Sequence, residues 1–149
     1  MAIRFVRVDH RNTEPIGAFL RQAGTSLRTF RYFSTRPLSI VRNHLCTWVI
    51  EDDGGVHAYG HLDCDCERVW LGIAVAERSR SKGLGRLMMR RLVESADELG
   101  VGAIRLTVDV DNITAIHLYE SFGFHLLSQE DGRYLYERNR PLSDITRSP

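Results

Sequence analysis

Residues 3–8 alternate in character, with Arg4 and Arg7 set among apolar and β-branched side chains, which predicts a first strand. Asn12-Thr13-Glu14-Pro15 supplies a capping residue and a first-turn proline, and Ile16, Phe19, Leu20 and Ala23 then share one helical face. From Thr25 to His44 the period is lost: Leu27, Phe30, Tyr32 and Phe33 interleave with Arg28, Arg31 and Arg36. A short helix before Pro37 and another over residues 38–43 fit this stretch. Two strand-like runs, 46–51 and 56–62, flank Asp52-Asp53-Gly54-Gly55, a hairpin signal. Cys64-Asp65-Cys66-Glu67 turns into a further strand over 68–75. Residues 83–99 carry the strongest helical stripe, Leu84, Leu87, Met88, Leu92, Ala96 and Leu99, stopped by Gly100. A buried-looking strand at 103–108, a short helix at 112–121 closed by Phe122-Gly123, and a hairpin of 124–128 with 134–136 complete the chain. This order predicts an α/β fold whose sheet is antiparallel early and gains a parallel crossover later. Residues 1–138 form one domain, and 139–149 are a polar tail.

Composition narrows the function classes. The chain has 149 residues, enough for one core, with 43% hydrophobic and 26% charged side chains. Its formal net charge of +1 offers no electrostatic footprint for nucleic acid or an anionic membrane. The apolar run near 69–76 is too short to span a bilayer. Three cysteines, Cys46, Cys64 and Cys66, and a start without an apolar targeting core lead us to expect reduced thiols in the cytoplasm.

The most informative segment runs from Val75 to Arg86. A strand ends, a polar loop with Arg78, Arg80, Ser81 and Lys82 follows, and a helix opens at Gly83-Leu84-Gly85-Arg86. Unpaired N–H groups and the positive end of a helix dipole suit a phosphate. Glycine at 83 and 85 lets backbone approach a ligand. Neither common nucleotide motif fits. Gly85 is followed by Arg86 rather than the Lys-Ser/Thr of a P-loop, and Met88 stands where a dinucleotide fingerprint needs its third glycine. A basic loop capping an ordinary helix is the plain alternative.

Arg80-Ser81-Lys82-Gly83-Leu84-Gly85 resembles the Arg/Gln-x-x-Gly-x-Gly/Ala pyrophosphate motif of the GNAT acyltransferases. The run from Asn112 through Tyr119 to Gly123-Phe124 resembles that family's second acyl-CoA motif, and the two stand in the family's order. The resemblance implies a mixed, mostly antiparallel sheet of six to seven strands with about four helices. A splayed strand pair would admit CoA between residues 71–75 and the strand ending at Val108. It also implies acetyl-CoA as cosubstrate, no metal, and a small-molecule amine as acceptor, in a monomer or homodimer. Amides of Ser81, Lys82, Gly83, Leu84, Gly85 and Arg86 would cradle the pyrophosphate, with Arg78 and Arg80 adding charge. Lys82, Arg86 and Arg90 are candidates for the 3′-phosphate. Backbone at Ile73 to Val75 would pair with the pantetheine and polarise the thioester. Asn112 would hydrogen-bond the pantetheine or cap its helix, and Tyr119 would protonate the departing thiolate or simply pack.

The sequence names no general base. Some relatives use a Glu on the strand before the loop, where this chain has Val69, Trp70 and Leu71. His61, Asp63, Asp65, Glu51 or a relayed water are the candidates. His57, His61, Cys64 and Cys66 invite a zinc reading, but a strand run gives them no convergence. Arg31 and Arg36 among aromatic residues suit an anionic acceptor such as a nucleotide-linked amino sugar, with amino acids and protein amines as alternatives. A non-catalytic acyl-CoA-binding module on the same fold is the rival of a different class.

Overall fold

A computed structural model describes residues 2–65 and 67–141. Cys66 and the tail residues 142–149, on which sequence expectations were placed, lie outside the described residues. The chain forms β1 (Arg4–Arg7), α1 (Glu14–Gln22), β2 (His44–Asp52), β3 (Gly55–Cys64), β4 (Val69–Val75), α2 (Leu84–Glu98), β5 (Ala103–Asp109), α3 (Ile113–Ser121), β6 (His125–Glu130) and β7 (Arg133–Asn139). The aperiodic stretch after α1 becomes single 3-10 turns at Gly24–Arg28, Tyr32–Ser34 and Leu38–Asn43, and a fourth, Glu77–Ser79, follows β4. The last strand runs one residue beyond the expected domain end, and Arg140 N–H donates to the Gly102 carbonyl just after it.

One sheet holds every strand in the order β1-β2-β3-β4-β5-β7-β6. All neighbours are antiparallel except β4 and β5. The period-two alternation of the strands sorts side chains onto two faces. On one face Ala58, Leu62 and Leu71 meet Met88, Met89 and Leu92 of α2. On the other, Tyr59 and Ala74 meet Ile16 and Phe19 of α1. Gly60 sets the depth at which α2 lies: a Cβ there would come within 2.7 Å of Met88 and 2.9 Å of Leu92. Contacts that close force a core to shift, so a larger residue at 60 would push the helix off the sheet.

The parallel pair is short. β4 and β5 match only at Val69↔Ile104 and Trp70↔Arg105, although each continues pairing with its outer neighbour for its full length. From Leu71 onward the two strands therefore diverge. The splayed pair expected from the sequence is present.

Candidate active site

The divergence opens a cleft of about 1070 Å³, bounded by β4, β5, the loop before α2, the start of α3 and the 3-10 turns after α1. That is at the upper end of ligand-site volumes and ample for a long nucleotide-bearing molecule. Backbone direction along β4 can be read from its flanks. Ala76 N–H donates to His57 on the β3 side, while the Val75 carbonyl accepts from Ser26 Oγ on the opposite side. Because N–H and C=O groups alternate sides residue by residue, Ile73 and Val75 point their N–H groups into the gap. These are the two β4 positions singled out from the sequence.

At the end of the gap stands the N-terminus of α2. Gly83 occupies its cap position with φ +79°, and a Cβ there would meet no atom within 4 Å. Ser81 also has positive φ, at 64°, an uncommon conformation for a residue with a side chain. The loop is thus bent so that Ser81, Gly83, Leu84 and Gly85 all line the cleft. Gly85 serves packing as well, since a Cβ would lie 3.3 Å from Leu118 of α3.

The basic residues of the loop separate. Arg80 lines the cleft and donates to Ser26 Oγ at 2.8 Å, which ties the loop to the turn after α1. Arg78 instead donates to the Gly54 carbonyl of the β2–β3 hairpin at 3.0 Å. Arg86 lies over the Phe122 ring, 5.5 Å from its centroid, and neither it, Lys82 nor Arg78 is among the residues lining the cleft. A brace invisible in the sequence holds the same loop. His57 Nδ1 is 2.8 Å from Ser79 Oγ, and its Nε2 is 2.6 Å from Asp52, so hairpin and loop are pinned together.

α3 brings two residues to the wall. Asn112 caps the helix by accepting from Ala115 N–H at 3.4 Å, and it lines the cleft too. Tyr119 is 7% exposed and packs against Phe124, with its ring at the cleft wall. Burial alone raises its pKa well above that of a free phenol, so it is a protonated donor throughout the neutral range.

At the mouth opposite α2, Arg31 and Arg36 both line the cleft but differ in commitment. Arg31 is paired with Asp109 at 3.3 Å. Arg36 lies over the Tyr32 ring at 4.3 Å and has no carboxylate partner among the described residues. Of the sequence's base candidates, Glu51 is excluded by position: it pairs with Arg4 at 3.0 Å, outside the cleft. His61, Asp63 and Asp65 line it. Among the described residues no group of three or more His, Cys, Asp or Glu converges as metal ligands, and His57 and His61 are each engaged elsewhere.

Residues 10–124 match the family model described as Acetyltransferase (GNAT) family. The L-amino acid N-acetyltransferase AaaT of Escherichia coli (strain K12) is 37% identical over 82 residues, covering 50% of this chain and 49% of that protein. The chain thus spans about half the length of that curated relative. A GNAT-family acetyltransferase from Streptococcus pneumoniae superposes with a TM-score of 0.76 at 21% identity, over 93% of this chain and 99% of that one. The PaiA N-acetyltransferase of Thermoplasma acidophilum, solved in complex with coenzyme A, superposes with a TM-score of 0.75 at 13% identity, over 94% and 100%. With the two motifs, the split sheet and a family match over residues 10–124 together, this chain belongs to the GNAT acetyltransferase family.

Proposed function

We propose that this protein transfers an acetyl group from acetyl-CoA to the primary amine of a small acceptor that carries an anionic group. The observation that supports this most is the end of β4–β5 pairing at Trp70, which leaves the Ile73 and Val75 N–H groups facing a cleft that runs to the α2 N-terminus. Bound there, acetyl-CoA supplies the activated acyl group. The residues fit it. Ile73 and Val75 can donate to an extended amide-bearing chain as a neighbouring strand would. Ser81, Gly83 and Gly85 present backbone at a helix N-terminus, where phosphate is favoured, and Arg80 adds a fixed charge. Asn112 stands beside the same gap. Tyr119 is the proton donor to the leaving sulfur, because its phenol is protonated and its ring lines the cleft.

The acceptor enters from the opposite mouth. Arg36 faces it without a carboxylate partner, so it recognises the acceptor's anionic group, as in a nucleotide-linked amino sugar. Arg31 contributes less, because Asp109 already compensates it. Amino acids meet the same chemical description, and the relative named for L-amino acids supports including them.

The test is thiol release from acetyl-CoA across nucleotide amino sugars, amino acids and polyamines, with the parent and Arg36→Ala. Anionic amines should turn over, and Arg36→Ala should raise their KM by about tenfold while leaving that of acetyl-CoA unchanged, the size of a lost charge-assisted hydrogen bond. Equal turnover of polyamines and anionic amines, unaffected by Arg36→Ala, would contradict an anionic acceptor.

A further inference from the structure

A primary ammonium must lose a proton before it can attack, and the roles given above provide no destination for it. The acceptor mouth holds a cluster that the acetyl-CoA side leaves unused. His44 and Asp63 face each other in the β2–β3 register. Tyr32, from the 3-10 turn Tyr32–Ser34, reaches across both: its hydroxyl is 2.7 Å from Asp63 Oδ2 and 2.8 Å from His44 Nε2.

The proton count fixes this arrangement. A carboxylate only accepts, so the single Tyr32 proton goes to Asp63, and His44 Nε2–H must then donate to the Tyr32 oxygen. With burial favouring the neutral imidazole, His44 Nδ1 accepts from Thr47 Oγ1 at 2.7 Å. Tyr32 stays a donor because burial, reinforced by the Asp63 carboxylate, raises its pKa far above the neutral range. One carboxylate oxygen is therefore held from behind. The other, Oδ1, has no hydrogen-bond partner among the described residues, and Asp63 lines the cleft.

The competing groups are held differently: both oxygens of Asp65 are engaged, and His61 is tied through one ring nitrogen. Asp65 accepts from the backbone N–H groups of Glu67 and Arg68 with one oxygen and from Trp70 Nε1 with the other. His61 is 2% exposed, packs against Gly72, and has Nδ1 at 2.7 Å from the Tyr59 hydroxyl. Burial first, then the neighbouring His44 and Arg36, hold its pKa well below the ordinary histidine value, because a proton taken up there would be a buried charge.

We propose that Asp63 is the catalytic base: Oδ1 receives the acceptor's ammonium and takes its proton, while Tyr32 and His44 are positioning residues that hold the carboxylate. The inference rests on the acetyltransferase reading. The N–H bond breaks, its proton moves to Oδ1, and the freed electron pair forms the bond to the acetyl carbon as the carbon–sulfur bond breaks. Nitrogen sheds two protons in all. The first passes through Asp63 to water; the second leaves the nitrogen for the Tyr119 oxygen, which has given its own proton to sulfur and is thereby restored. The titratable and charged groups facing Asp63 are Tyr32 and Arg36 from the turn segment, His44 from β2 and His61 beside it on β3, with Tyr59 behind His61.

The test is Asp63→Asn, assayed with acetyl-CoA and the fastest amine of the panel from about pH 6 to about pH 10. At neutral pH, kcat/KM for the amine should fall about 10²-fold, the low end of general-base effects, with acetyl-CoA KM unchanged. The gap should close as pH approaches the amine's own pKa, because the acceptor then arrives already neutral. Tyr32→Phe should show a smaller loss, about tenfold, of the same pH shape. A loss that is constant across pH would mark a structural role and overturn the proposal, as would an Asp63→Asn enzyme equal to an active parent. A parent that releases no thiol with any amine would instead defeat the acetyltransferase reading itself. Retention of the parent's acetyl-CoA thermal shift in both variants shows that they fold.

Discussion

At Tyr119 one oxygen separates two roles. The ring is part of the core, packed on Phe124 and only 7% exposed, so phenylalanine preserves its packing. Among the described residues the hydroxyl has no hydrogen-bonding partner, and burial is what raises its pKa. Tyr119 lines the cleft, where a ligand can use that hydroxyl. We expect Tyr119→Phe to melt like the parent and to bind acetyl-CoA with parent affinity, while kcat falls about 10²-fold, or roughly 3 kcal/mol of transition-state stabilisation. A thiolate leaves readily, which sets the loss at the low end for a general acid. Parent-like kcat in this variant would reduce Tyr119 to packing. The residue scale also shows what local sequence conveys. Gly83, Gly85, Asn112 and Tyr119 lie in contiguous runs whose spacing carries their meaning. The Arg78 side chain was misleading by the same reasoning, because the Gly54 carbonyl that captures it comes from a hairpin 24 residues away.

At the scale of elements, the loop before α2 is built from three restraints. Its backbone is bent by positive φ at Ser81 and Gly83, Arg80 anchors it to Ser26, and the Asp52–His57–Ser79 brace fastens it to the β2–β3 hairpin. Such bracing keeps the N–H groups aimed without help from the ligand, which is how preorganisation raises affinity. Gly83→Val should abolish most of the melting-temperature rise that acetyl-CoA gives the parent. Valine at φ +79° carries about 1–2 kcal/mol of left-handed strain, so the free variant should also melt lower. A full acetyl-CoA shift in Gly83→Val would move the phosphate site elsewhere. The 3-10 turns between α1 and β2 were the least legible element. They have no period to read, and what they do depends on the β2–β3 register that brings His44 opposite Asp63 under Tyr32. Asp63 therefore stood in the sequence as one base candidate among several, and only the register distinguishes it.

For the whole molecule, the deciding feature is a sheet nearly divided in two. β1–β4 and β5–β7 are each continuous antiparallel sets, joined by the two register pairs at Val69 and Trp70. The core on the α2 face spans the seam, joining Leu71 of β4 to Ile104, Leu106 and Val108 of β5, so that layer holds the halves together while the gap stays open; the α1-face core packs on the first half alone. The hairpins were readable from alternation and turn residues and the parallel crossover followed from α2, whereas the insertion of β7 between β5 and β6 was not readable. The splay was readable only through family resemblance, since nothing in the alternation of 71–75 distinguishes a strand that pairs from one that parts. An unpaired strand edge inside a protein calls for a partner, and an extended acyl carrier supplies one. The acyl group carried into that gap should leave on an amine. Acetyl-CoA labelled in its acetyl carbons, incubated with the parent protein and an anionic amine, tests it most directly by mass spectrometry of the products. Label should appear as an amide on the amine, one acetyl for each thiol released. Label recovered only as free acetate, or no thiol released with any amine, would contradict it.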